Sequence, residues 1–248
     1  MIQHSPLLLA GVAAAMATAG CVQGIIGFGF GLVAMGLLPL MLGVKGAVPV
    51  VATMAVAVNW TLFLRFRKHF SASDAAPLFL GTLVGVPIGV TVLRAWSSDL
   101  LMTCLGVLVL LYVAWSLSRR ETPPPLGRGV GAILGLVAGT LGGAFSTAGP
   151  PAVVWVSSQS WPSQQLRATL VGLFAVGGSI QVPMLAYGGL VDLGTVATVT
   201  IAAPAAALGS VVGARLGDRV PQEAFRLVML CGLGLLAFVF IFNGVRGG

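Results

Sequence analysis

The sequence predicts an all-α polytopic membrane protein built from two homologous repeats in inverted orientation. Each repeat is a glycine-broken helical hairpin plus three full transmembrane helices. The chain is 57% hydrophobic and only 8% charged, with a mean hydropathy of +1.03, whereas soluble domains are about a quarter charged. Several windows without charge reach the roughly 20 residues needed to cross about 30 Å of hydrocarbon as a helix. None shows the short alternating strands of a transmembrane barrel. A glycine-rich stretch, Gly20 to Pro39, returns in altered form at Gly135 to Pro151.

In the first stretch Gly20, Gly24, Gly27, Gly29 and Gly31 stand too close together for an ordinary helix, because each glycine costs about 1 kcal/mol relative to alanine. Non-helical backbone survives in a bilayer only where protein or a watered cavity satisfies its amides, so a broken apolar segment points to a site. Residues 7–43 are apolar, too long for one crossing and short for two; two tilted helices or a re-entrant hairpin both fit. Span 46–64 follows and is closed by Arg65, Arg67, Lys68 and His69. Asp74 introduces span 75–93, where Pro77 is tolerated near the start and Pro87 predicts a kink. Span 100–118 leads into the polar linker Arg119 to Arg128 with its Pro123-Pro124-Pro125 run. The predicted divisions are thus a first repeat over 1–118, a cytoplasmic linker over 119–128 and a second repeat over 129–248.

The second repeat opens with glycine at every fourth residue, Gly127, Gly131, Gly135, Gly139 and Gly143, a bare stripe suited to close helix packing. Pro150-Pro151 breaks it, and a short apolar piece, 152–156, ends in Ser157-Ser158-Gln159-Ser160-Trp161. Spans at 166–187, 194–214 and 224–243 complete the chain. Gly20, Gly24, Gly27 and Phe30 match Gly135, Gly139, Gly142 and Phe145; Ala52-Thr53 matches Ala168-Thr169; Gly85 and Gly89 match Gly209 and Gly213. A slowly growing offset across these matches predicts duplication. Cytoplasmic loops collect Lys and Arg. That rule puts the Arg65 cluster, the linker and the loop after Arg215 inside, so span 46–64 runs inward and its counterpart 166–187 outward. The site is then expected near the midplane where the repeats meet.

The net charge of +7 does not signal nucleic acid, because the basic residues lie in short clusters between apolar spans. Cys21, Cys104 and Cys231 show no metal or disulfide spacing. Thr18-Ala19-Gly20-Cys21 has the look of a lipoprotein cleavage box, but no basic residue precedes its apolar run, and no cleavage is expected. His4 and His69 are the only histidines and neither lies in a span, so an enzyme is not expected. No P-loop lysine motif occurs. No cofactor and no metal are predicted.

The segment Gly24-Ile25-Ile26-Gly27-Phe28-Gly29-Phe30-Gly31 resembles the opening motif of the TauE/SafE family of membrane transporters. Gly139-Thr140-Leu141-Gly142-Gly143 and Arg167-Ala168-Thr169 fit as its second-half echo, and the resemblance covers essentially the whole chain. Phe30, where many members carry glycine, and Ser146-Thr147-Ala148-Gly149-Pro150-Pro151 are this chain's own variations. The resemblance implies a multi-pass protein of the bacterial cytoplasmic (inner) membrane that moves small anions such as sulfite, sulfonates, sulfoacetate or related organic acids.

The residues themselves point the same way. All six acids fall in loops or at span ends, which leaves no carboxylate at depth for a proton relay or a sodium cage. Neutral hydrogen-bonding groups remain, among them Thr53, Gln159, Thr169 and Ser179. The predicted substrate-binding set is Gln23, Gly24, Gly27, Gly29, Gly31, Asn59, Gly139, Gly142, Gly143, Ser146, Thr147, Arg167 and Gln181, with free amides at the broken helix N-termini favouring an anion. Against this stands the ordinary role of each type: membrane Ser and Thr bond their own backbone, Asn and Gln join helices, and arginines and tryptophans anchor at the interface. The sequence reading is a secondary transporter or facilitated carrier. A channel-like anion pore or a non-transporting membrane subunit are the alternatives. Its partners are a small anionic substrate and the lipid bilayer, and the glycine stripes permit a homodimer.

Overall fold

The computed structural model describes residues 6–26, 29–118, 125–217 and 222–246. Among them every regular element is helical: α1 Pro6–Ile26, α2 Phe30–Leu37, α3 Pro39–Phe66, a 3-10 turn Arg67–His69, α4 Ala72–Ala95, α5 Ser98–Ser118, α6 Arg128–Phe145, α7 Gly149–Ser158, α8 Ser163–Tyr187, α9 Leu193–Gly217 and α10 Gln222–Arg246. Seven are long and apolar enough to cross a membrane among the described residues, as expected of a multi-pass membrane protein. The ambiguous stretch 7–43 resolves into full-length α1 and the eight-residue α2. A further turn from Pro39 ends at Gly43, whose φ of 68° interrupts α3. The short apolar piece 152–156 becomes part of the ten-residue α7. Most of the predicted linker, 119–124, lies outside the described residues.

The helices form two compact units, and neither is a sequence half. The first holds α1, α2, α3 as far as Val50, α5, α9 and α10; the second holds α3 from Val51, α4, α6, α7 and α8.

In the first unit α1 and α9 run side by side in one direction. A methyl group on Gly209 or Gly213 would collide with the carbonyl of Ala17 or Cys21, and one on Gly20 with that of Ala206. Backbones this close require glycine, since packing rather than hydrophobicity drives helix association in lipid. Antiparallel to each other, α5 and α10 meet where Gly106 faces Ala237 and Gly244 faces Thr103. Asp192 caps α9, accepting from the Thr195 amide at 2.7 Å and the Thr195 hydroxyl at 2.8 Å. These bonds hold its carboxyl below the ordinary value of 3.8.

In the second unit α4, α6 and α8 are parallel. Gly135, Gly139 and Gly143 of α6 face Leu78, Thr82 and Val86 of α4, while Gly81, Gly85 and Gly89 answer from the other side. The Thr82 hydroxyl reaches both the Leu78 carbonyl (2.9 Å) and the Gly135 carbonyl (3.0 Å). Against α8, the second part of α3 runs antiparallel: Phe63 packs on Gly172, and Trp60 donates to Ser179 at 2.9 Å. The predicted stripe on α6 therefore divides. Its last three glycines seat α4, Gly131 lies under the Trp155 ring, and Gly127 faces open space.

The α1–α9 contact and the α6–α4 contact use the same arrangement. Ala17 against Gly209 and Cys21 against Gly213 repeat as Ala132 against Gly81 and Leu136 against Gly85. Gly89 continues the second series, facing the Thr140 carbonyl.

Candidate functional site

Both breaks rest on left-handed backbone. In the first unit Gly29 precedes α2 with φ 98°, a conformation that glycine adopts without steric cost. The amides of Gly29, Phe30, Gly31 and Leu32 have no acceptor within α2, whose first internal bond runs from Val33 to the Gly29 carbonyl at 3.0 Å. Gly24 and Gly31 are half-buried on either side of the break, and Gly27 lies outside the described residues.

One turn before the end of α1 stands Gln23, 2% exposed, with its amide nitrogen buried and unpaired. Leaving a buried donor unsatisfied costs about 1–3 kcal/mol, so such groups call for a reason. Among the described residues two other buried polar atoms share this state, the Trp155 indole nitrogen and the Thr169 hydroxyl. Trp155 fills the space left by Gly131 and packs edge-on against Trp161 at 5.4 Å. This buried role replaces the interfacial one expected of it, because a full indole covers the bare helix face.

In the second unit the break is Ser146, a non-glycine residue at φ 51° that caps α6 by donating its amide to the Gly142 carbonyl at 2.7 Å. Gln181, on α8 and 4% exposed, reaches across to it. Its amide nitrogen lies 3.1 Å from both the Gly143 carbonyl and the Ser146 hydroxyl. Thr147 is buried and donates to the Phe145 carbonyl at 2.9 Å. Gly142 sits opposite Ala148, where a methyl group would find the Ala148 methyl at 3.1 Å. The structure thus brings Gln181, Gly142, Gly143, Ser146 and Thr147 together.

The other predicted residues stand apart from this cluster. Gly139 lies one turn back, pressed on α4, where a methyl group would come within 2.5 Å of the Thr82 carbonyl. Arg167 is exposed near the start of α8, about 21 Å along the helix from Gln181 at 1.5 Å per residue. Asn59 is buried but donates to the Ala55 carbonyl of its own helix at 2.8 Å. The amide-rich N-terminus expected at the second break is also reduced, because α7 opens Gly149-Pro150-Pro151 and proline has no N–H. Gln159 closes the far end of α7 instead, donating to the Leu126 carbonyl at 3.1 Å.

Sequence reasoning missed Lys45. It is half-buried two residues beyond the Gly43 break, and no other Lys or Arg occurs between residues 7 and 64. That isolation in an apolar run was the available signal. Met41 packs on Gly11, so this part of the chain lies at the opposite end of the α1–α2 hairpin from Gly29.

Among the described residues no cluster of metal-ligating side chains occurs, and the three cysteines are unbonded. Asp74 and Asp99 sit in the first turns of α4 and α5.

The family described as Sulfite exporter TauE/SafE matches residues 12–240. A curated relative from Cupriavidus necator, named "Probable sulfite/organosulfonate exporter TauE", is 28% identical over 92% of this chain and 93% of its own. No solved structure matches the chain. With a match over nearly its full length, the chain belongs to the TauE/SafE family of membrane transporters.

Proposed function

We propose that the protein is a carrier for small oxyanions, sulfite or organosulfonates foremost, and that the first break provides neutral donors to the anion. The relative's name supplies the substrate class. The observation that carries the reading is Gln23, a buried amide donor without a partner beside the first break. An anion accepting from it removes the penalty that the empty protein bears. The first-turn amides of α2 add fixed positive dipoles. The Ser146–Gln181 arrangement is the corresponding polar group at the second break. No carboxylate stands in the described interior of a span to hold a cation instead.

Thermal unfolding of the purified protein with sulfite, sulfoacetate, taurine or carboxylates tests this. Sulfite or a sulfonate should raise the Tm of the unaltered protein. Gln23→Leu removes the unpaired donor, so without ligand its Tm should be unchanged or higher, and the anion-dependent rise should vanish. A full rise retained in Gln23→Leu contradicts the assignment.

A further inference from the structure

We propose that the end of the second unit formed by the 3-10 turn and the starts of α4, α6 and α8 is a binding surface for the phosphodiester headgroups of anionic lipids. The fold, more than the sequence, assembles it. Arg65, Arg67 and Lys68 come from the end of α3 and the turn that follows, Arg128 from the first residue of α6, and Arg167 from α8; all five are exposed. Helix packing brings these separate segments to one end. Phe70, next to the turn, packs on Phe79 of α4 at 5.5 Å and on Phe63 of α3 at 5.4 Å. Arg128 donates to the Ser73 carbonyl at 3.1 Å, and Gln165 donates to Asp74 at 3.0 Å. Ser73 and Asp74 thereby tie the starts of α4, α6 and α8 together. Asp74 is the single acid on these segments, against five cations.

The helices carrying this end are apolar over a membrane's thickness, so their termini stand at headgroup level. A topology signal requires only that basic residues stay on one side of the membrane. Five of them gathered around one short segment give a local positive field, and several Lys or Arg at the membrane surface select anionic lipid. Arginine adds bidentate hydrogen bonds to phosphate oxygens.

Native mass spectrometry of the full-length protein, titrated with phosphatidylglycerol and phosphatidylcholine of identical acyl chains, reads the preference directly. The unaltered protein should retain phosphatidylglycerol preferentially, and each cation removed should lower the preference about fivefold. Arg67→Gln with Lys68→Gln and Arg167→Gln should nearly abolish it, while Arg94→Gln, at the opposite end of α4, should preserve it. Raising salt from about 0.1 M to about 1 M shortens the screening length from about 10 Å to about 3 Å, and should weaken the preference in the unaltered protein without any mutation. Three results would overturn the proposal: a salt-independent preference, equal loss in Arg94→Gln, or competition by inorganic phosphate as strong as by the lipid. So would a triple variant that keeps its lipid preference and changes only the apparent KM for anion transport, because the basic end would then serve the substrate.

Discussion

Gln181 is the residue on which the second break depends, because one side-chain nitrogen serves the Gly143 carbonyl and the Ser146 hydroxyl. Gln181→Leu should therefore lower stability by about 1–3 kcal/mol, which differential scanning fluorimetry reads. Lys45 is expected to act at a distance. Lys45→Gln should raise the apparent KM for anion flux several-fold at low ionic strength, with the difference shrinking as salt screens the charge. Asp192 has a purely structural task. Asp192→Ala removes the α9 cap and should cost about 1 kcal/mol, whereas Asp192→Asn keeps the acceptor oxygen and should transport normally. Its folded carboxyl titrates below 3.8. The stability it adds is thus fully present above that ordinary value and is lost as pH falls through the lowered one. An acid scan should show this loss in the unaltered protein and a smaller one in Asp192→Asn.

At the scale of elements the glycines separate by what they touch. Gly139→Ala and Gly143→Ala drive a methyl group into α4 backbone and should destabilise by about 1–3 kcal/mol through overpacking. Gly142→Ala meets only the Ala148 methyl at 3.1 Å and should fold nearly as well. Gly129 faces open space, so Gly129→Ala should be neutral or slightly stabilising, by up to about 1 kcal/mol. Thermal midpoints in one detergent rank all four. The four-residue glycine spacing on α6 was legible in the sequence as a packing face, because periodicity is local information. Its partner was not, since nothing in residues 131–143 names α4 across the linker. The break was read at Pro150-Pro151 with Ser146 flanking it, while the left-handed turn lies at Ser146 itself and the bond from Gln181 depends on a contact between helices far apart in sequence. The polar side chains that turned out to serve their own helix, such as Asn59, look the same in sequence as those that reach across.

For the whole molecule, the multi-pass helical class and the transporter family follow from composition and motif alone, whereas α1 and α6, expected as parts of broken hairpins, are each long and apolar enough to cross a membrane. Which helices belong to each unit needed the structure. One end of the second unit carries the 3-10 turn and the starts of α6 and α8, and the basic residues there predict that it faces the cytoplasm. Cysteines at His69 and Gln164, in a background without Cys21, Cys104 and Cys231, should react with impermeant thiol reagent only after the membrane is opened. Tyr187→Cys, at the far end of α8, should react from outside. The central claim, a carrier that binds small oxyanions at the first break, is tested most directly by counterflow in proteoliposomes. Vesicles preloaded with unlabelled sulfite should accumulate labelled sulfite transiently above its equilibrium level, saturably, and Gln23→Leu should abolish the overshoot. Uptake that rises linearly with concentration and shows no overshoot would contradict the account, since a pore does not exchange one anion for another.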